Sequence, residues 1–111
     1  MKVVIIEDEK LLAEHLTILL QKIDESITVV NYFDTITASV NAFKEALNAD
    51  LIFMDIHLAD GNSFEIFNQI QLEIPVIFTT AFDNYAIQAF KQNSVDYLLK
   101  PIALKELQFA L

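Results

Sequence analysis

Residues 3–9 read Val3-Val4-Ile5-Ile6-Glu7-Asp8-Glu9, four apolar residues followed directly by three acids. A β-branched run this short, with no polar alternation, suits a strand buried on both faces of a parallel sheet. Four more runs of this kind follow along the chain: Ile27 to Val30, Leu51-Ile52-Phe53-Met54, Val76-Ile77-Phe78 and Tyr97-Leu98-Leu99. Helical spacing fills the gaps between them. Leu12, Leu16, Leu19 and Ile23 share one stripe; Ile36, Val40, Phe43 and Leu47 share another. Ile66, Phe67 and Ile70 mark a third helix, and Ala86 and Phe90 a fourth. Asp34 or Thr35 is placed to cap the second helix, and Asn62 or Ser63 the third. Strand–helix alternation with short connections predicts right-handed crossovers and helices on both faces, giving a five-stranded doubly wound α/β sheet. A fifth helix is expected from Ala103 or Leu104, and its pattern of Lys105, Leu107 and Leu111 is interrupted at the last residue. The expectation is therefore a truncated last helix and a C-terminal continuation.

The 111 residues fit one domain, expected to occupy 1–111, and a hydrophobic content of 54% supplies its core without staples. Cysteine is absent, which excludes disulfides and thiolate metal sites. No apolar stretch is long enough to span a bilayer or to serve as a signal-peptide core, so no membrane association and a cytoplasmic location are expected. The net charge is −9, with seven lysines and no arginine. Such a surface repels phosphate backbones, so this piece alone is not expected to bind nucleic acid. The same acidity would suit a protein that binds a divalent cation, although most acidic domains are merely soluble.

Polar residues close four of the five apolar runs. Glu7 and Asp8 follow the first, Asp55 the third, Thr79 and Thr80 the fourth, and Lys100 the fifth. In open α/β sheets, ligands bind beyond the carboxyl ends of the strands at the topological switch point. If the first, third, fourth and fifth strands are neighbours, these groups converge on one site. Crowded carboxylates repel one another unless a cation intervenes. Oxygen-only ligands favour a hard ion such as Mg2+. Lys100 adds a compact positive charge and Thr80 a hydroxyl, so the set forms a cradle for a phosphoryl group in transit. Asp55 in the middle is the natural nucleophile; a carboxylate is already ionised at neutral pH and needs no general base.

Taken singly, each residue has an ordinary explanation. Glu7, Asp8 and Glu9 suit a helix start, Asp55 a loop or cap, Thr80 a turn and Lys100 a solvated surface. Only their joint order on an alternating α/β chain singles out a site. The side chain of His57 is read as an exposed loop group rather than a metal ligand, and His15 as surface.

The pieces Val4-Ile5-Ile6-Glu7-Asp8-Glu9, Phe53-Met54-Asp55-Ile56, Asp60-Gly61, Phe78-Thr79-Thr80-Ala81 and Asp96-Tyr97-Leu98-Leu99-Lys100-Pro101 together resemble response-regulator receiver domains over the whole chain. The segments Ala81-Phe82-Asp83-Asn84-Tyr85-Ala86 and Val95 to Pro101 look like the subgroup whose output module is a LytTR-type DNA-binding domain. The resemblance implies a flavodoxin-like receiver fold with strand order 2-1-3-4-5. It implies that Asp8, Asp55 and the main-chain carbonyl of His57 hold Mg2+, with Glu7 helping directly or through water. It implies that Asp55 accepts a phosphoryl group from a sensor histidine kinase, that Lys100 pairs with the phosphoryl oxygens and that Thr80 shifts to bond them. Tyr97 would then rotate inward and carry the change to the face of the fourth helix, fifth strand and last helix. Leu98, Ala86, Ile87 and Phe90 are expected along that face, which is the candidate for homodimerisation. DNA would be reached only through an output domain absent from this chain, and transcription regulation would follow from it. Beyond its own phosphorylation and dephosphorylation, no enzymatic turnover is implied. The resemblance also allows a cis bond before Pro101. Where many members have two aspartates, this chain has Glu7 and Asp8, and the longer Glu7 puts the metal geometry in question. His57 and Phe82 stand at positions that tune dephosphorylation in the family, and bulky Phe82 is expected to shield the acyl phosphate from water.

Three other readings compete. A flavin-binding module would need a Ser/Thr/Gly-rich loop where Glu7-Asp8-Glu9 stands. A haloacid-dehalogenase-type phosphatase would need an acid at His57. A receiver-like interaction module that is never phosphorylated would have no need of the full set of acids, Thr80 and Lys100.

Overall fold

The computed structural model describes residues 1–81 and 94–111. Its elements are β1 Lys2–Ile6, α1 Lys10–Ile23, β2 Thr28–Phe33, α2 Ile36–Lys44, β3 Leu51–Asp55, β4 His57–Leu58, β5 Gly61–Asn62, α3 Glu65–Gln69, β6 Val76–Thr80, β7 Ser94–Leu99 and α4 Leu104–Ala110. The expected fourth helix, with Ala86, Ile87 and Phe90, lies outside the described residues, as does Phe82.

Five strands form one parallel sheet in the order β2-β1-β3-β6-β7. This is the expected order of five strands; the labels differ because β4 and β5 form a separate two-residue ladder, His57 opposite Asn62 and Leu58 opposite Gly61. That ladder is too short for any periodic signal in the sequence. Gly61 turns it at φ 140°, a backbone angle that side-chain-bearing residues rarely adopt.

The apolar runs are continuous because both faces of the sheet are covered. Successive side chains point to opposite faces. Val4, Ile6, Ile52, Met54 and Phe78 pack on one side with Ile36 and Val40 of α2 and Ile66 of α3. Val3, Ile5, Phe53 and Ile77 pack on the other with Leu16 and Leu20 of α1 and Leu107 of α4. Phe53 and Phe78 are almost fully buried, and each such side chain contributes up to about 1.5–3 kcal/mol as an upper bound. Leu98, expected along the switching face, is buried in the core with α1 and α4 and also lines a surface cleft with Tyr97, Lys105 and Phe109, while its neighbour Leu99 is exposed. The pleat decides this, because adjacent residues cannot share a face.

A side-chain cap accounts for the start of α2. Thr35 Oγ1 accepts from Ala38 N at 3.1 Å and caps α2. Ahead of α3, Asn62 Oδ1 accepts from Phe64 N at 2.8 Å. Ser63 supplies only its main-chain oxygen, to Ile66 N at 3.0 Å. Neither of the two residues expected to cap α3 does so with its side chain: Phe64 occupies the N-cap position, and Asn62 closes a turn on the amide of Phe64 just ahead of the helix.

Candidate phosphoryl-acceptor site

The chain runs outward from β1 to β2, then crosses back to β3 and continues to β6 and β7. The switch point therefore lies between β1 and β3, and a crevice opens beyond their carboxyl ends. Parallel register keeps the ends level: Ile6 lies opposite Met54, Asp55 opposite Thr79 and Thr80 opposite Leu99.

Each side chain is set by its backbone. Glu7 N donates to Phe33 O at 2.9 Å, extending the ladder by one residue, and the Glu7 side chain is buried. Its Oε2 accepts from Glu9 N at 3.1 Å. Asp8, next along, is exposed. Asp55 is the last residue of β3 and is 5% exposed. Its Oδ1 accepts from His57 N at 3.3 Å. Thr80 ends β6 fully buried, and its carbonyl accepts from Lys100 N at 2.7 Å. That bond fixes the start of the Lys100 side chain, and the Lys100–Pro101 peptide is cis.

Lys100 spans the gap. Its Nζ donates to Asp55 Oδ2 at 3.1 Å and also to Glu7 Oε1. One carboxylate oxygen from each of Glu7, Asp8 and Asp55 lies within 4.8 Å of the other two. The electrostatics follow from that crowding. Burial raises the Glu7 carboxyl above its usual range; Lys100 pulls it back, and Asp55 adds to the rise. Burial and the neighbouring Glu7 raise Asp8 as well. Burial disfavours the charged ammonium of Lys100, yet Glu7 and Asp55 together outweigh it and raise its pKa, so it stays charged.

Two cavities meet at Lys100. An open cleft of about 390 Å³ is lined by Asp8, Asp55, His57, Thr80, Lys100 and Pro101 among others. Behind it, a cavity of about 40 Å³ is lined by Glu7, His15, Thr79, Lys100 and apolar residues of β1, α1, β3 and the segment before α4. The expected residues Glu7, Asp8, Asp55, His57, Thr80 and Lys100 are thus brought together. Tyr97 stands apart: it lies on β7 opposite Phe78 and packs half-buried against the layer formed with α2 and α3. His57 and His15 are exposed. The donors around the acids are oxygens, which suits a hard divalent cation.

Asp60 has a structural part that its motif did not reveal. Its Oδ1 accepts from Ile36 N at 2.8 Å and its Oδ2 from Thr37 N at 3.3 Å. A carboxylate from the β4–β5 turn thereby satisfies the first turn of α2. The Ile36 amide above all holds the Asp60 carboxyl below its usual range.

A family model described as the response regulator receiver domain matches residues 3–111. The chain is 41% identical over 119 aligned positions to the transcriptional regulatory protein LytR of Staphylococcus aureus, covering 99% of this chain and 45% of that protein. It is 37% identical over 116 positions to the sensory transduction protein LytR of Streptococcus agalactiae, covering all of this chain and 46% of that protein. The chain therefore spans less than half the length of these curated relatives. Among solved structures, the response regulatory domain of protein mrkE from Klebsiella pneumoniae superposes with a TM-score of 0.85 at 27% identity, covering 99% of this chain and 91% of that one. Among the described residues, no helix is long and apolar enough to cross a membrane.

Proposed function

This chain belongs to the response regulator receiver domain family, and from that premise we propose that it accepts a phosphoryl group on Asp55 and uses the added charge to switch an output domain. The observation that carries the proposal is Lys100 Nζ standing 3.1 Å from Asp55 Oδ2, in a cleft that Asp8 and Thr80 also line.

The donor is the phosphohistidine of a sensor histidine kinase. A carboxylate oxygen of Asp55 forms the new O–P bond as the P–N bond to the donor imidazole breaks, and the imidazole leaves with the electron pair. Burial keeps the Asp55 carboxylate fixed, and the bond from His57 N orients it. Lys100 pairs with negative charge on the phosphoryl oxygens. The Thr80 hydroxyl donates to the same oxygens once the group is in place. Asp8 and Asp55, with the main-chain carbonyl of His57, would hold Mg2+, and Glu7 adds a third negative charge within reach. The fit rests on the all-oxygen donor set and on the raised carboxyls of Glu7 and Asp8, a crowding that a divalent cation relieves. When bound, Mg2+ neutralises charge on the acids and on the phosphoryl oxygens.

The switch is a shift in population. A phosphoryl group adds charge that Lys100 and Thr80 pair with in only one arrangement, and Tyr97 moves with them. The likeness to the LytR regulators supports an output that binds DNA and regulates transcription through a domain beyond this chain. Phe109, 94% exposed beside Tyr97 and Lys105, supports the expected face for a second copy. A sedimentation profile of the phosphorylated protein that does not change with concentration would contradict that dimer.

Intact-mass spectrometry after incubation with acetyl phosphate tests the central reading. A single phosphoryl adduct that requires Mg2+ is the expected result. No adduct on a folded chain that binds Mg2+ would favour an interaction module independent of phosphorylation.

A further inference from the structure

Glu7 and Asp8 are adjacent acids, yet their surroundings differ in three respects. Both oxygens of Glu7 are engaged, Oε1 by the Lys100 ammonium and Oε2 by Glu9 N. Its side chain is only 6% exposed, whereas Asp8 is exposed. Asp8 and Asp55 line the open cleft, while Glu7 lines the small cavity behind it; of the charged residues described, Lys100 alone borders both.

From this geometry we infer that Glu7 is a positioning residue for Lys100 rather than a metal ligand. The inference rests on the phosphoryl-acceptor reading and divides the labour within it. The physical reason is reach. Glu7 has one methylene more than an aspartate, which lets its carboxylate reach the Lys100 ammonium. A flexible ammonium held on one side by a buried carboxylate keeps a defined direction, and its remaining protons face Asp55 and the cleft. Without Glu7, the same ammonium would lean wholly on Asp55 and compete there with an incoming cation.

A double-mutant cycle read by Mg2+ binding separates the two roles. Wild type, Glu7→Gln, Lys100→Met and the double variant are titrated with Mg2+ by calorimetry, with Asp8→Asn as the ligand control in the wild-type and Lys100→Met backgrounds. If Glu7 acts through Lys100, Glu7→Gln weakens Mg2+ binding in the wild-type background but by no more than about fivefold in the Lys100→Met background, the effect of a nearby solvated charge. Asp8→Asn weakens it by about tenfold or more in both backgrounds. A loss from Glu7→Gln that equals the Asp8→Asn loss in the Lys100→Met background would overturn the inference. Wild-type chain alone gives a second measurement should a variant not fold. On Mg2+ titration, the carboxyl carbon resonances of Asp8 and Asp55 should move and that of Glu7 should move less; an equal Glu7 movement also overturns the inference. Failure of the phosphoryl reading would show separately, as a chain that binds Mg2+ in this pattern but gains no adduct on Asp55.

Discussion

Lys100 Nζ lies 3.1 Å from Asp55 Oδ2, although β6 separates the two strands that deliver these residues. The contact exists because parallel register levels the strand ends and because Lys100 N is tied to Thr80 O. The ammonium stands between two buried carboxylates, so removing it has two separate consequences.

Lys100→Met should leave Glu7 and Asp55 facing each other without a counter-ion. Unfolding by urea at neutral pH without Mg2+ should show a loss of about 2 kcal/mol, below the full cost of breaking a deeply buried pair because Lys100 keeps some solvent access. Phosphorylation from acetyl phosphate, followed by mass, should slow by about a hundredfold, as for loss of one preorganised charge stabiliser. An unchanged rate would remove Lys100 from the mechanism.

Glu7 gives a pH signature in the metal-free chain. Its carboxyl is raised from an ordinary 4.5, so the folded state holds its proton more tightly than the unfolded state does. The stability this confers is complete below 4.5 and is lost as pH rises through the folded value. The stability of wild type relative to Glu7→Gln should therefore decline as pH rises above 4.5. Mg2+ should stabilise wild type more at neutral pH than at pH 4.5, read as the shift in melting temperature. A difference that grows with pH would mean the wrong sign.

Asp60 predicts the opposite slope. Its carboxyl is held below the ordinary 3.8, so its contribution is present above that value and lost as pH falls through the lower folded one. Asp60→Ala should cost about 1 kcal/mol at neutral pH, as for loss of a helix cap, a figure kept modest by its solvent exposure. Urea curves of wild type and variant should converge below pH 3.8.

Ser63 offers a stabilising change. Its hydroxyl is fully buried and has no hydrogen-bond partner among the described residues. Such a group carries its desolvation cost uncompensated. Ser63→Ala should be neutral or raise the unfolding free energy by about 1 kcal/mol. A loss larger than that would show that the hydroxyl is satisfied in solution.

Much of the site was legible because it falls where apolar runs stop. Asp55, Thr80 and Lys100 each stand at a strand end, and an all-parallel sheet leaves little choice about where those ends meet. The Glu7–Lys100 pairing was not legible: 93 positions separate the two, and only the register of the sheet brings them together. The burial of Leu98 was not legible, because a run of three apolar residues does not say which of them faces the helices. Asn62 and Ser63 both have the chemistry of a cap, yet α3 starts after Phe64 without one, because Asn62 is taken up in the short β4–β5 ladder, which carries no periodic pattern. Asp60 was seen as part of a motif, but its bonds to Ile36 N and Thr37 N join segments more than twenty residues apart.

Reductive trapping of the phosphorylated chain tests the central claim most directly. Borohydride converts an aspartyl phosphate to homoserine, and peptide mass spectrometry then locates the converted residue. After incubation with acetyl phosphate and Mg2+, conversion at residue 55 and nowhere else, absent in Asp55→Asn and without Mg2+, is the predicted result. Conversion at Asp8 or another acid, or none in a chain that has gained a phosphoryl group by mass, would contradict the assignment of Asp55 as acceptor.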